Sequence, residues 1–182
     1  DAGAVARDVL AAVVREAHRL GLPVTAHAHG SPAIEDCLAV GVDGMEHVTF
    51  WSADGVDDRP DLRQAVAESG VVVGATAGML RPSPGLAPPP AILARTPKII
   101  ANARDLLERG AVVVAGTDAG IAPVKPPDIL RTAVSQLGDV GMSRLDALRT
   151  VTSLAAEVVG LVPDAVLCAN DTSLLAGAVQ EG

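Results

Sequence analysis

Apolar residues along this chain recur in two alternating rhythms. Val5, Val9, Val13 and Leu20 fall on one side of a helix, with Arg7, Asp8, Arg15 and Glu16 elsewhere. That spacing predicts an amphipathic helix from the first residues, stopped at Gly21 and kept from resuming by Pro23. Val24 to Ala28 then reads as a strand. Ser31-Pro32 opens a second helix as N-cap and first helical residue, and Gly41 closes it near Val40. A strand over 44–50 follows.

The same unit repeats. A helix over 61–68 stops at Gly70, before a strand over 71–76. Residues 81–90 hold five prolines in ten positions, the composition of a lid or binding loop rather than a linker. A helix over 97–109, a strand over 111–115 and helices over 127–137 and 143–159 complete the pattern, the last opening on a capping-box-like Ser143-Arg144-Leu145-Asp146. Short, Val-rich strands alternating with helices predict an α/β fold with a buried parallel sheet. Four such units fit half of an eight-stranded (β/α) barrel, and equally an open doubly wound sheet.

Composition narrows the function classes. The chain has 182 residues, one domain's worth, and is 49% apolar, yet Phe50 and Trp51 are its only aromatics. A core of Ala, Val and Leu suits close helix-on-sheet packing. Fourteen Lys and Arg against 22 Asp and Glu leave a net charge of −8, which argues against a nucleic-acid partner, as does the lack of stacking aromatics. No apolar run approaches membrane-spanning length, and no signal-peptide pattern opens the chain. Cys37 and Cys168 stand apart without CxxC or Cys/His spacing, so a reducing cytoplasm is the expectation.

Candidate chemistry gathers at strand ends. The first strand ends at His27 and His29, the second at Glu46-His47 and the fourth at Gly116-Thr117-Asp118. In a parallel sheet these share the carboxyl edge, where active sites of such folds lie. A single strand-end histidine is most simply a solvated one. Histidines and a carboxylate on three strand ends form a set suited to Zn²⁺ or a similar divalent ion. His18, inside the first helix, reads as structural. Strand alternation predicts that Glu46 points away from His47. Lys125 and Arg81, on loops after strands, read as solvated charges, and Gly74-Ala75-Thr76-Ala77-Gly78 lacks the form of a phosphate loop.

His27 in VTAHAHG, His47 in GVDGMEHVTF and Asp118 in VVVAGTDAGI, spaced by 20 and then 71 residues, resemble the metal-dependent amidohydrolase superfamily. The imidazolonepropionase-like and Xaa-Pro dipeptidase-like members are the nearest in pattern. Leu145-Asp146-Ala147-Leu148, Thr152 and Ala155-Ala156-Glu157 to Gly160 are similar to the closing helix of that family. The resemblance covers residues 1–161 and implies the C-terminal half of a distorted barrel, from its fifth strand to its eighth. It implies His27 and His47 as metal ligands, with His47 polarising the substrate carbonyl in a one-metal variant. It implies Asp118 as a ligand that takes a proton from metal-activated water and passes it to the leaving amine. His29, two residues beyond His27 and nearer the rim, is a candidate substrate contact.

The chain departs from the family pattern in two places. The first-strand HxH pair and the carboxylated Lys or Glu of the third or fourth strand are absent, and residues 162–182 match the usual small β domain poorly. The expectation is therefore a hydrolase of amide, lactam or peptide-like C–N bonds, acting on a small-molecule or dipeptide-like substrate. One or two divalent ions, zinc foremost, would serve the complete enzyme. This chain would be an incomplete fragment, partnered by the missing N-terminal half or by further copies of itself. The alternative is a non-catalytic half-barrel used for binding or assembly. A third reading is an unrelated α/β fold in which the strand-end histidines never converge.

Overall fold

Glycines end the helices where the sequence puts them. Gly41 and Gly70 cap their helices in the left-handed region, at φ 73° and 74°, a conformation that costs a residue without Cβ almost nothing. The computed structural model describes residues 5–83, 85–121 and 123–161. In chain order its elements are α1 (Arg7–Arg19), β1 (Thr25–Ala28), α2 (Ser31–Val40), β2 (Gly44–His47), β3 (Trp51–Ser52), β4 (Gly55–Val56), α3 (Pro60–Ser69) and β5 (Val72–Thr76). There follow α4 (Pro90–Glu108), β6 (Val112–Gly116), α5 (Leu130–Asp139), α6 (Arg144–Arg149) and α7 (Ser153–Val158).

Four strands form a parallel sheet in the order β1-β2-β5-β6, while β3 and β4 make a separate antiparallel hairpin. The order follows the chain without reversal, so the sheet has no switch point of the doubly wound kind. Ala28, Met45, Val73 and Val113 lie on one face and are buried, packed with Val14, Ile34, Cys37, Leu62, Val66 and Leu106 from α1 to α4. Leu137 and Ala147 extend the core beside Ala75 and Ala115. The helices thus cover one face of a singly wound sheet. On the other face, register groups Thr25 and His27 with Gly44 and Glu46, Val72 and Gly74, and Val112 and Val114. Its side chains are exposed or half-buried, apart from the two glycines.

Several expectations shift. The stripe of α1 is exposed, with Val5 at 58%, Val9 at 52% and Val13 at 51%, because the helix packs through Leu10 and Val14 instead. The helix expected from Pro97 begins at Pro90 and carries Pro97 in its interior. The final long helix divides into α6 and α7. Thr150 and Thr152 at the break turn their hydroxyls back onto the carbonyls of Ala147 and Leu148, competing with the helical ladder. Ser143 caps α6 as expected, accepting from the Asp146 N–H at 3.1 Å. No helix among the described residues is long and apolar enough to cross a membrane. The tail over 162–182, with Cys168, lies outside the described residues.

Candidate metal centre

The carboxyl ends of β1 and β2 are stitched together by the backbone. Val48 N–H donates to Ala28 O at 3.0 Å, and Trp51 N–H donates to His29 O at 3.0 Å. Val48 N–H also reaches Glu46 O at 3.1 Å across His47, whose φ is 77°. This is a γ-turn in its strained form, rare for a residue with a side chain. Its effect is to break strand alternation. His47, which regular pleating would send into the helix-packed core, joins His27 on the open face. Glu46 stays on that face too, with its Oε1 accepting from Thr25 Oγ1 at 3.1 Å. The expectation that Glu46 points away from His47 is therefore corrected, and the turn at His47 is the reason.

Three imidazoles converge as a result. His27, His29 and His47 each offer a ring nitrogen, and these nitrogens lie within 4.8 Å of one another. His47 Nε2 is 3.0 Å from His27 Nδ1. His47 and His29 stack at 4.0 Å between centroids with 16° between planes, and His27 meets both edge-on. Two hydroxyls hold the rings from behind, Thr76 Oγ1 at 2.8 Å from His47 Nδ1 and Thr49 Oγ1 at 2.8 Å from His29 Nδ1. Such partners fix ring orientation, while His47 Nε2 faces His27 Nδ1. Trp51, on the β3–β4 hairpin, stacks on His29 at 5.2 Å. Arg95 from α4 anchors that hairpin, lying 5.5 Å over the indole and donating to Gly55 O at 3.1 Å.

Burial and mutual repulsion disfavour the charged form of His29 and His47. Burial first, then the fields of His47 and His27, push His29 down to about 4. Burial, followed by the field of His27, also lowers His47. Asp118 pulls the other way on both, so its carboxylate lies within electrostatic reach of the cluster. Neutral imidazole is the form that binds metal.

Asp118 sits just past β6, exposed, at φ 52°. The four described non-glycine residues at positive φ are His47, Val48, Phe50 and Asp118. Strained backbone of this sort collects at functional sites. The structure brings His27, His29 and His47 together, His29 as fully as the other two, and puts Asp118 beside rather than within that trio. His18 pairs with Asp43 at 2.8 Å, away from the cluster. Arg81 is exposed, as expected. Lys125 is not solvated, being 6% exposed, with Nζ donating to Thr76 O at 2.8 Å and Thr117 O at 2.9 Å. Thr49, Thr76 and Trp51 were not singled out as site residues in the sequence, and Lys125 was read there as a solvated charge. Thr76 alone had a signal, as the last residue of a strand at the shared carboxyl edge.

The donor set fits a divalent ion, since three imidazoles with a carboxylate nearby are the ligand types zinc takes.

Comparison with known proteins gives this arrangement its relatives. An uncharacterised protein of Mycobacterium tuberculosis is 34% identical over 124 residues, covering 62% of this chain and 31% of its own length. The chain thus spans about a third of that relative. Among solved structures, a Xaa-Pro dipeptidase with bound methionine in its active site superposes with a TM-score of 0.66 at 24% identity, covering 86% of this chain and 38% of that one. An ochratoxinase of A. niger gives a TM-score of 0.64 at 21% identity, covering 86% and 34%. At these identities the likeness establishes the fold. The model of the amidohydrolase family matches residues 1–165, and the chain belongs to that family.

Proposed function

We propose that this chain carries the metal-binding half of a hydrolase that cleaves an amide, lactam or peptide-like C–N bond in a small-molecule or dipeptide-like substrate. The observation that carries the reading is the convergence of His27, His29 and His47 beside Asp118 at one sheet edge. His27 and His47 would hold the ion, zinc by the chemistry of the donors. His29 faces substrate from the stack with Trp51, or closes the ion's coordination as a third nitrogen. A divalent cation bound there supplies the polarisation that makes water acidic near neutral pH. Asp118 accepts the proton released as water attacks the carbonyl carbon, then delivers it to the departing amine nitrogen as the C–N bond breaks. Thr76 and Thr49 keep the rings aimed.

Residues 1–161 are read as the fifth to eighth strands of a (β/α) barrel with their helices. Three features support this: the singly wound order, the open edge at β1, and an α1 stripe facing no partner within the described residues. The lone thiols favour a cytoplasmic setting. The competing reading, a non-catalytic half-barrel, shares the ion but not the turnover.

Isothermal titration with Zn²⁺ tests the site. One ion per chain is expected, with binding lost in His27→Ala and in His47→Ala. Undiminished binding in both variants, or none in the unaltered chain, would remove the reading. Joining the chain to its missing half should bring turnover of N-acyl amino acids or dipeptides that Asp118→Asn abolishes. Metal binding with no turnover there would favour the module.

A further inference from the structure

We propose that Lys125 is a positioning residue of the metal site, tying the ends of β5 and β6 so that Thr76 steadies His47 and Asp118 stands beside the cluster. The proposal rests on the metal-site reading above and adds to it a residue that neither the mechanism nor the family resemblance supplies.

A buried ammonium needs a reason, because removing its charge from water is costly unless partners replace the lost hydration. Lys125 is 6% exposed, and its Nζ donates to two neutral acceptors, Thr76 O and Thr117 O. These carbonyls belong to the last residue of β5 and the first residue after β6. A stem of four carbons ending in a point donor can reach two carbonyls on adjacent strands at once. Burial lowers its basicity while the Asp118 carboxylate offsets part of that cost. The anion that compensates the lysine is therefore the proposed proton carrier.

The backbone around Lys125 brings it there. Lys125 N–H donates to Ile121 O at 2.9 Å and Gly120 N–H donates to Lys125 O at 2.8 Å, folding the loop back onto the strand ends. Leu80 N–H donates to Val124 O at 2.9 Å, fixing the same loop to the one after β5. Contacts then run in series: Lys125 Nζ to Thr76 O, Thr76 Oγ1 to His47 Nδ1, and His47 Nε2 to His27 Nδ1. A second branch runs from Nζ to Thr117 O, one residue before Asp118. An apolar residue of the same length would fill the space without holding either branch.

The test uses Lys125→Met, Thr76→Val and the double variant, each read in two ways. Without metal, long-range ¹H–¹⁵N spectra report the ring nitrogens of His47. With metal, Co²⁺ titration followed by visible absorption reports affinity. Lys125→Met is expected to shift the His47 ring signals, leave those of His18 in place, and weaken Co²⁺ binding about 10–100-fold, the range for loss of a residue that orients a ligand. Because the contacts act in series, the double variant should move the His47 signals no further than the stronger single and bind within about twofold of it. Unmoved His47 signals in Lys125→Met, or losses that multiply in the double variant, would overturn the proposal. Lys125→Arg keeps the charge and donors on a larger planar group and should bind more tightly than Lys125→Met. A loss there as large as with Met also overturns it, and this variant decides the matter should Lys125→Met not fold. If the unaltered chain takes up no Co²⁺, the metal reading falls, while the metal-free His47 spectra still decide the role of Lys125.

Discussion

Glu46 and Gly74 interlock across the open face of the sheet: the carboxylate on β2 fills the volume that a Cβ at position 74 on β5 would need. A Cβ at position 74 would force the Glu46 carboxylate, the far end of a flexible side chain, to shift. Gly74→Ala is expected to cost up to about 1 kcal/mol, with a matching fall in thermal midpoint. Glu46→Ala in the same chain should recover part of that loss, a coupling above about 0.5 kcal/mol in a double-mutant cycle. Strict additivity would mean that the carboxylate swings aside freely.

A second expectation concerns acid. Arg109 first and Arg63 next hold the Asp105 carboxyl below its ordinary range. Arg63 is 6% exposed, bonded to Asp105 and also to Asn102 and Asp58. Between the lowered folded value and the unfolded value of about 3.9 the unfolded chain holds more protons, so stability rises with pH there. The contribution is complete above the unfolded value and disappears as pH falls through the folded one. Asp105→Asn should lower neutral-pH stability by about 1–3 kcal/mol and flatten the acid limb of a urea midpoint-versus-pH curve. An acid limb as steep as that of the unaltered chain would assign the acid sensitivity elsewhere.

Asp118 offers a separation of stability from activity. At φ 52° and exposed, it occupies a conformation in which glycine is less strained. Asp118→Gly should stay within about 1 kcal/mol of the unaltered chain, relief of the backbone offsetting loss of the charge that faces Lys125. Turnover within the complete barrel proposed above should fall at least about 10²-fold, the scale of a lost proton carrier. A larger loss on denaturant titration would show that the charge facing Lys125 outweighs that relief.

The exposed stripe of α1 yields a fourth test. Val9→Glu with Val13→Lys should leave the unfolding free energy within about 0.5 kcal/mol, as at surface sites. Sedimentation should show reduced self-association of the chain, because the stripe is apolar area left for a partner. A large destabilisation would mean that the stripe is buried in the folded chain.

These cases mark what periodicity reveals and where it stops. The four strands, the glycine stops and the Ser143 cap follow local rules that the chain obeys locally. That His27, His47 and Asp118 stand along one edge was legible because strand ends of a parallel sheet share it. The spacing of Val5, Val9 and Val13 identified a face of α1 but not whether Leu10 and Val14 would be buried in its place. Alternation misassigned Glu46 because one residue at φ 77° cancels a period of two. Lys125 was misread as solvated since its burial depends on a loop closing onto carbonyls 49 and 8 residues away.

The trio of histidines has a kinetic corollary. His27, His29 and His47 come from adjacent strands, and the sequence distance from first to last is 20 residues. Few sites in an α/β protein depend on so little chain closure, and loops that short close fast compared with the docking of distant strands. The cluster can therefore assemble with the β1–α2–β2 unit, ahead of β6 and Asp118. An ion captured at that stage would act as an early clasp on the growing sheet, so refolding in Zn²⁺ should gain its first protected amides in β1 and β2.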